Sequence, residues 1–166
     1  MFQILFKNII RFILLVLVQV WVLNNIQFLG FINPYIYILF IFSLPVKTNR
    51  WLVLILSFLT GICIDMFSDT LGLHTFACVL IGFLRNPVLK ITSSNEDNVN
   101  YEPSFRSLGI ASYVKYVVIL VLIHHLTLFY LEAFTFAHFW ATLYRALLSA
   151  SVTLLLIFGV QLLKRD

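Results

Sequence analysis

Residues 113–131 read YVKYVVILVLIHHLTLFYL, and residues 139–163 read FWATLYRALLSASVTLLLIFGVQLL. Crossing the ~30 Å hydrocarbon core of a bilayer takes about 20 apolar residues at a rise of ~1.5 Å each. Both stretches are of that order, and each holds one basic residue, Lys115 in the first and Arg145 in the second. A surface helix of such length in a soluble protein would carry a charged face. Neither stretch has one. They point to an all-α membrane protein.

The remaining composition agrees. Of the 166 residues 61% are hydrophobic and only 11% are charged, with a mean hydropathy of +1.00. A soluble domain carries about 25% charged residues. So few charges could not cover a globule with polar surface, which excludes a soluble enzyme, a disordered regulator and a secreted disulfide scaffold. Cys63 and Cys78 lie inside apolar runs without CxxC spacing and read as small buried hydrophobes.

Outward from those two segments, four further apolar runs are separated by short polar punctuation. The spans fall at about 9–29, 33–46, 51–67, 71–86, 113–131 and 139–163, with a loop at about 87–112, in one integral membrane domain over 1–166. Lys7 and Arg11 ahead of the first run resemble a signal peptide, but no small-x-small pattern follows, so the run reads as a retained span. The second opens at Asn33-Pro34, a capping residue followed by a first-turn proline. It stops or kinks at Pro45. Pro34 to Leu44 would make only ~16 Å of helix, short for a crossing. The fourth ends at Pro87. Thr92 to Ser107 is the one long stretch of soluble-loop composition, and reads as exposed.

The net charge is +4, and the basic residues are scattered singly and in pairs between apolar runs. That pattern is a topology signal, not a nucleic-acid footprint. With six crossings and the N-terminus in the cytoplasm, 10 of the 11 Lys and Arg fall inside, Arg145 alone lying near the outer face. Asp65, Asp69 and Glu132 fall in the outer turns. Both termini are therefore expected in the cytoplasm.

Polar residues at membrane depth are functional candidates by default. Asp65 and Asp69 are four apart, with His74 close by, which admits a metal site. Capping or partner contact explains them more simply, since Asp69 directly precedes the fourth helix. Asp65 sits in the last turn of the third, where the helix dipole disfavours an anion. Arg145 is its natural counter-charge. Two alternatives stay open: Arg145 snorkels to headgroups while Asp65 hydrogen-bonds around Thr70 or His74, or either residue meets a partner's helix. Adjacent His124 and His125 diverge by ~100° and favour packing or hydrogen bonding over joint chelation. Tyr35, Tyr37, Trp51 and Trp140 read as interfacial anchors. Small residues four apart (Ser57 with Gly61, Cys78 with Gly82, Ala146 with Ala150) suggest close helix packing. There is no Gly-rich phosphate loop, HExxH or GxSxG. No enzymatic activity, cofactor or metal is expected.

Asn33-Pro34 leading into an aromatic-aliphatic segment, Ser43-Leu44-Pro45 with Lys47, Asn49 and Arg50, and Gly61-x3-Asp65-x3-Asp69-Thr70-Leu71-Gly72-Leu73-x2-Phe76-Ala77 resemble the MreD family. That family is the small multi-pass membrane component of the bacterial rod-shape machinery. The resemblance implies a fold similar to the S-component of energy-coupling-factor transporters, with six transmembrane helices. It implies a scaffold of the bacterial cytoplasmic membrane that binds MreC and, with MreB, RodA and its penicillin-binding transpeptidase, supports lateral peptidoglycan synthesis. Pro34, Gly61, Asp65, Asp69, Gly72 and Arg145 are the structural or partner-contact candidates. The alternative is a solute-binding S-component of a vitamin transporter. Bulky residues throughout Phe12 to Val22 weigh against it, because such components usually expose small residues on helix one.

Overall fold

Long apolar runs without internal breakers become helices, because a backbone in lipid must satisfy its own hydrogen bonds. In the computed structural model, which describes residues 2–26, 32–93 and 100–163 with side chains from residue 6 onward, five helices are long and apolar enough to cross a membrane. The first is α1 (Phe2–Leu17), prolonged by a π-helical turn at Val18–Val22 and a 3-10 turn at Leu23–Asn25. After a short α2 (Leu39–Phe42) come α3 (Arg50–Ser68) and α4 (Leu73–Thr92). A single turn, α5 (Phe105–Leu108), precedes α6 (Ile110–Ala133) and α7 (Phe139–Leu163). Helices α3, α4, α6 and α7 pack in that order, each on the next. The chain is an all-α, multi-pass membrane protein.

The expected second span is not a membrane-length helix. Residues 32–44 pass through the middle of the bundle as one 3-10 turn (Ile36–Ile38), the four-residue α2 and irregular chain. Tyr37, Ile38, Ile41 and Phe42 are all 0% exposed. Against the expected six transmembrane helices, the described residues hold five of membrane length, packed around a buried irregular segment. The segment runs antiparallel to α1, since Gln19 meets its start at Pro34 and Ile36 and Arg11 meets its end at Ser43.

Non-helical backbone at this depth requires partners from elsewhere in the protein. The first helix, α4, α6 and α7 supply them. The Asn33 and Tyr35 N–H groups donate to Ser149 Oγ and Thr153 Oγ1 of α7 at 3.1 and 2.9 Å. Gln19 accepts from the Ile36 N–H at 2.9 Å and donates to the Pro34 carbonyl at 3.0 Å. At the other end Tyr116 donates to the Phe42 carbonyl at 3.3 Å, Arg11 to Ser43 at 3.1 Å, and Arg85 to Leu44. Tyr35 and Tyr37, expected as interfacial anchors, are instead buried in this core. Trp51 and Trp140 are exposed, as anchors should be.

Two boundaries also shift. Helix α4 continues through Pro87 to Thr92 and does not stop at the proline. An exposed proline near a helix end removes only one ladder bond. Beyond it, Asn100 to Ser104 fold back on the protein, with residues 94–99 outside the described part. The first span's expected end at 29 likewise falls outside the described residues, as do Lys164 and Arg165.

Most basic residues lie at one end of the bundle: Lys7 and Arg11 on α1, Arg50 at the start of α3, Lys90 near the end of α4 and Lys115 near the start of α6. Asp65, Asp69 and Glu132 lie at the other. At the basic end Glu102 ties the returning loop to α1, accepting from Arg11 at 2.7 Å and Lys7 at 3.1 Å. Burial pushes its carboxyl up, but the hydrogen bond and charge of Arg11, then those of Lys7, outweigh burial and hold it below the usual carboxylate range. A depressed folded-state pKa stabilises above the unfolded value, about 4.3, and that stability is lost as pH falls through the folded value. Glu102→Gln should therefore cost about 1 kcal/mol at neutral pH, allowing for partial exposure of the pair. The gap from the parent should close as pH is lowered below 4 in detergent unfolding curves. A gap independent of pH would assign the loss to packing alone.

Candidate functional site

The polar interior lies toward the acidic end. Here α3 stops at Ser68 because Asp69 turns left-handed (φ 54°), a conformation Asp tolerates. Gly72 follows at φ 85°, where a Cβ would be strained, and α4 begins at the next residue. Asp69 is exposed and off the helix, so it neither shares a face with Asp65 nor caps α4, contrary to both expectations.

Asp65 does the capping. One carboxylate oxygen accepts from the His74 N–H at 3.0 Å and Thr70 Oγ1 at 2.5 Å. The other accepts from the Thr75 N–H at 2.8 Å and Thr75 Oγ1 at 2.5 Å. Two of the four free N–H groups at the start of α4 are thereby satisfied by a carboxylate at the positive end of that helix. The unfavourable dipole of α3 is answered by the favourable one of α4. The expected ion pair with Arg145 is not formed: Arg145 stands over the Phe129 ring, 5.3 Å from its centroid, on a helix that packs against α6.

Gly61 allows the close approach this capping needs. A Cβ there would lie 2.7 Å from the Thr75 nitrogen and 2.9 Å from the His74 carbonyl. One face away, a Cβ at Gly82 would meet Ser57 Cβ at 3.0 Å. The close helix packing expected from the small residues is present between α3 and α4, where Gly61 meets Thr75 and Gly82 meets Ser57.

Deeper in the bundle, three of the four histidines gather around Tyr35 and Tyr37. Tyr37 Oη lies 2.7 Å from His74 Nδ1 and 2.9 Å from His124 Nε2. His124 Nδ1 is buried without a partner. An orphaned lone pair is the lesser cost compared with an orphaned N–H. That choice runs the chain from His124 Nε2–H to Tyr37 and from the Tyr37 hydroxyl to His74 Nδ1. It leaves an N–H on His74 Nε2. His125 is held separately: the Val121 carbonyl, 2.9 Å away, can only accept, so Nδ1 carries the proton, while Nε2 lies 3.0 Å from Thr153 Oγ1, whose hydroxyl donates to the Ser149 carbonyl at 2.8 Å. The Tyr35 ring packs against all three imidazoles, with centroids 5.1, 6.0 and 5.4 Å from His74, His124 and His125.

His74 and Tyr35 wall a polar cavity of about 410 Å³ at the acidic end, which Asn25, Asn33, Thr70 and Glu132 also line. On the outer side of the α3–α4 hairpin lies an open apolar groove of about 690 Å³, bordered by Phe58, Ile62, Met66, Leu71 and Phe76. Among the described residues no group of three His, Cys, Asp or Glu side chains is placed to hold a metal ion.

Two participants were not picked out from the sequence. Tyr37 joins histidines 37 and 87 residues away, a separation with no local signature. Arg85 looked like a topology charge but is 0% exposed, donating to Leu44 at the end of the buried segment. Its position two residues before Pro87, inside an otherwise apolar run, was the available signal. No family model, curated protein or solved structure matches this chain.

Proposed function

We propose that this chain is a non-enzymatic membrane scaffold of the MreD kind, residing in a bacterial cytoplasmic membrane with both termini in the cytoplasm. Its direct partner would be a bitopic protein of the MreC type, and its wider assembly the MreB filament, RodA and a penicillin-binding transpeptidase. One observation carries the reading. Gly61, Asp65 and Gly72, which carry the resemblance, all serve to fix the α3–α4 hairpin, and that hairpin presents an open apolar groove. Pro34 belongs to the buried segment that Gln19 secures. Met66, Leu71 and Phe76 border the groove and are 77%, 101% and 57% exposed, a row of large apolar side chains available to a partner's helix. A rigid hairpin with an open apolar flank suits docking more than chemistry.

Affinity purification from membranes should recover an MreC-type protein, and depletion should round rod-shaped cells while solute uptake continues. Leu71→Glu with Phe76→Glu should abolish that recovery without unfolding the bundle, since both side chains are exposed. Unchanged cell shape together with loss of uptake of one vitamin would support the S-component alternative instead.

A further inference from the structure

The cavity at the acidic end has features that docking does not use. Its volume of about 410 Å³ lies within the range of small-molecule sites, about 300–1,000 Å³, and far exceeds that of one water. Tyr35 and His74 on its wall are only 7% and 5% exposed, so its inner wall is built from core side chains, while Asn25 and Glu132 are exposed. The His74 Nδ1 is engaged by Tyr37, while Nε2 has no partner among the described residues. By the proton arrangement derived above, that nitrogen is a donor.

Among the described residues the lining holds one formal charge, Glu132, in the last turn of α6. It has no ion-pair partner among the described residues. The C-terminal end of α6 adds its own partial negative charge at the same place. Arg145, over the Phe129 ring, does not line the cavity. An occupant should therefore carry a cation for Glu132 and an oxygen acceptor for His74, with hydrogen-bonding capacity toward Asn25, Asn33 and Thr70. We propose that this cavity binds an ethanolamine-type group, a primary ammonium carried close to an oxygen acceptor. Its source is either a phospholipid headgroup or a free amino alcohol. The inference holds whether or not the chain is a scaffold, and its test involves neither a partner nor cell shape.

The purified chain is reconstituted in nanodiscs of phosphatidylcholine alone, or with phosphatidylethanolamine added, and free ethanolamine is titrated into the first. Thermal unfolding is followed by circular dichroism, and the Glu132 carboxylate by its 13C resonance in glutamate-labelled protein. A saturable rise in Tm with a saturable shift of the Glu132 resonance is expected in at least one arm. Response to free ethanolamine in phosphatidylcholine assigns a soluble amino alcohol; response to phosphatidylethanolamine alone assigns the headgroup. Choline, which has no N–H to donate, should give neither effect.

Glu132→Gln is exposed and should keep the parent Tm without ligand. It should require about ten-fold more ethanolamine, or show no lipid response, as loss of a charge-assisted hydrogen bond implies. His74→Gln should weaken binding in the same direction. Absence of any response in both arms, or an equal response from Glu132→Gln, would overturn the proposal.

Discussion

Replacing Asp65 by alanine should destabilise the bundle by about 3 kcal/mol, the largest loss expected from any single polar side chain here. Its carboxylate accepts four hydrogen bonds from Thr70, His74 and Thr75, two of them from backbone N–H groups of α4 that have no alternative acceptor in lipid. Asp65→Asn should lose about half as much. One oxygen can still accept from Thr70 and His74, but the amide nitrogen then faces the Thr75 N–H, donor against donor. Arg145→Gln should cost under about 1 kcal/mol and combine additively with Asp65→Ala, because the two residues share no partner. Unfolding of purified protein in mixed detergent micelles measures all four variants. A positive coupling between Asp65 and Arg145 would restore the ion pair read from the sequence; a loss below about 1 kcal/mol for Asp65→Ala would remove its capping role.

The contrast between Asp65 and Asp69 shows what the sequence made legible. Five spans were readable because hydropathy is a property of each segment alone; the ends of α3, α6 and α7 moved by at most three residues, while α1 begins seven residues earlier and α4 ends six residues later than expected. Capping of α4 was readable as a need, but not as to which carboxylate meets it. Spacing put Asp69 nearest in sequence, while the left-handed turn at Asp69 and the Gly72 kink carry the chain back so that Asp65 comes nearest in space. The segment 32–44 failed for a related reason. Its shortness between Pro34 and Pro45 was visible, yet the groups that allow it to be irregular come from Arg11, Gln19, Arg85, Tyr116, Ser149 and Thr153, on four different helices. No local window contains them. The cavity beside His74 was hidden in the same way, since its walls come from α1, the buried segment, the hairpin and α6.

Gly61→Ala should destabilise by about 2–3 kcal/mol, the upper range for an overpacked methyl, because the obstruction is backbone. The added Cβ would stand 2.7 Å from the Thr75 nitrogen and 2.9 Å from the His74 carbonyl, so α3 and α4 must separate. Separation at Thr75 also stretches the two bonds that Thr75 gives to Asp65. Gly61→Ala and Asp65→Ala should therefore be less than additive in the double variant, since the first already weakens what the second removes. Gly82→Ala provides the comparison. There the added methyl meets the Ser57 side chain, whose hydroxyl is buried without a partner. Removing that hydroxyl costs little, so Ser57→Ala should recover part of the Gly82→Ala loss, the Ser57 Cβ contact at 3.0 Å remaining. No side-chain truncation should recover Gly61→Ala, because nothing short of moving a helix clears its path. Equal losses at the two glycines, or rescue of Gly61→Ala by Thr75→Ser, would mean that side chains and not backbones set the α3–α4 distance.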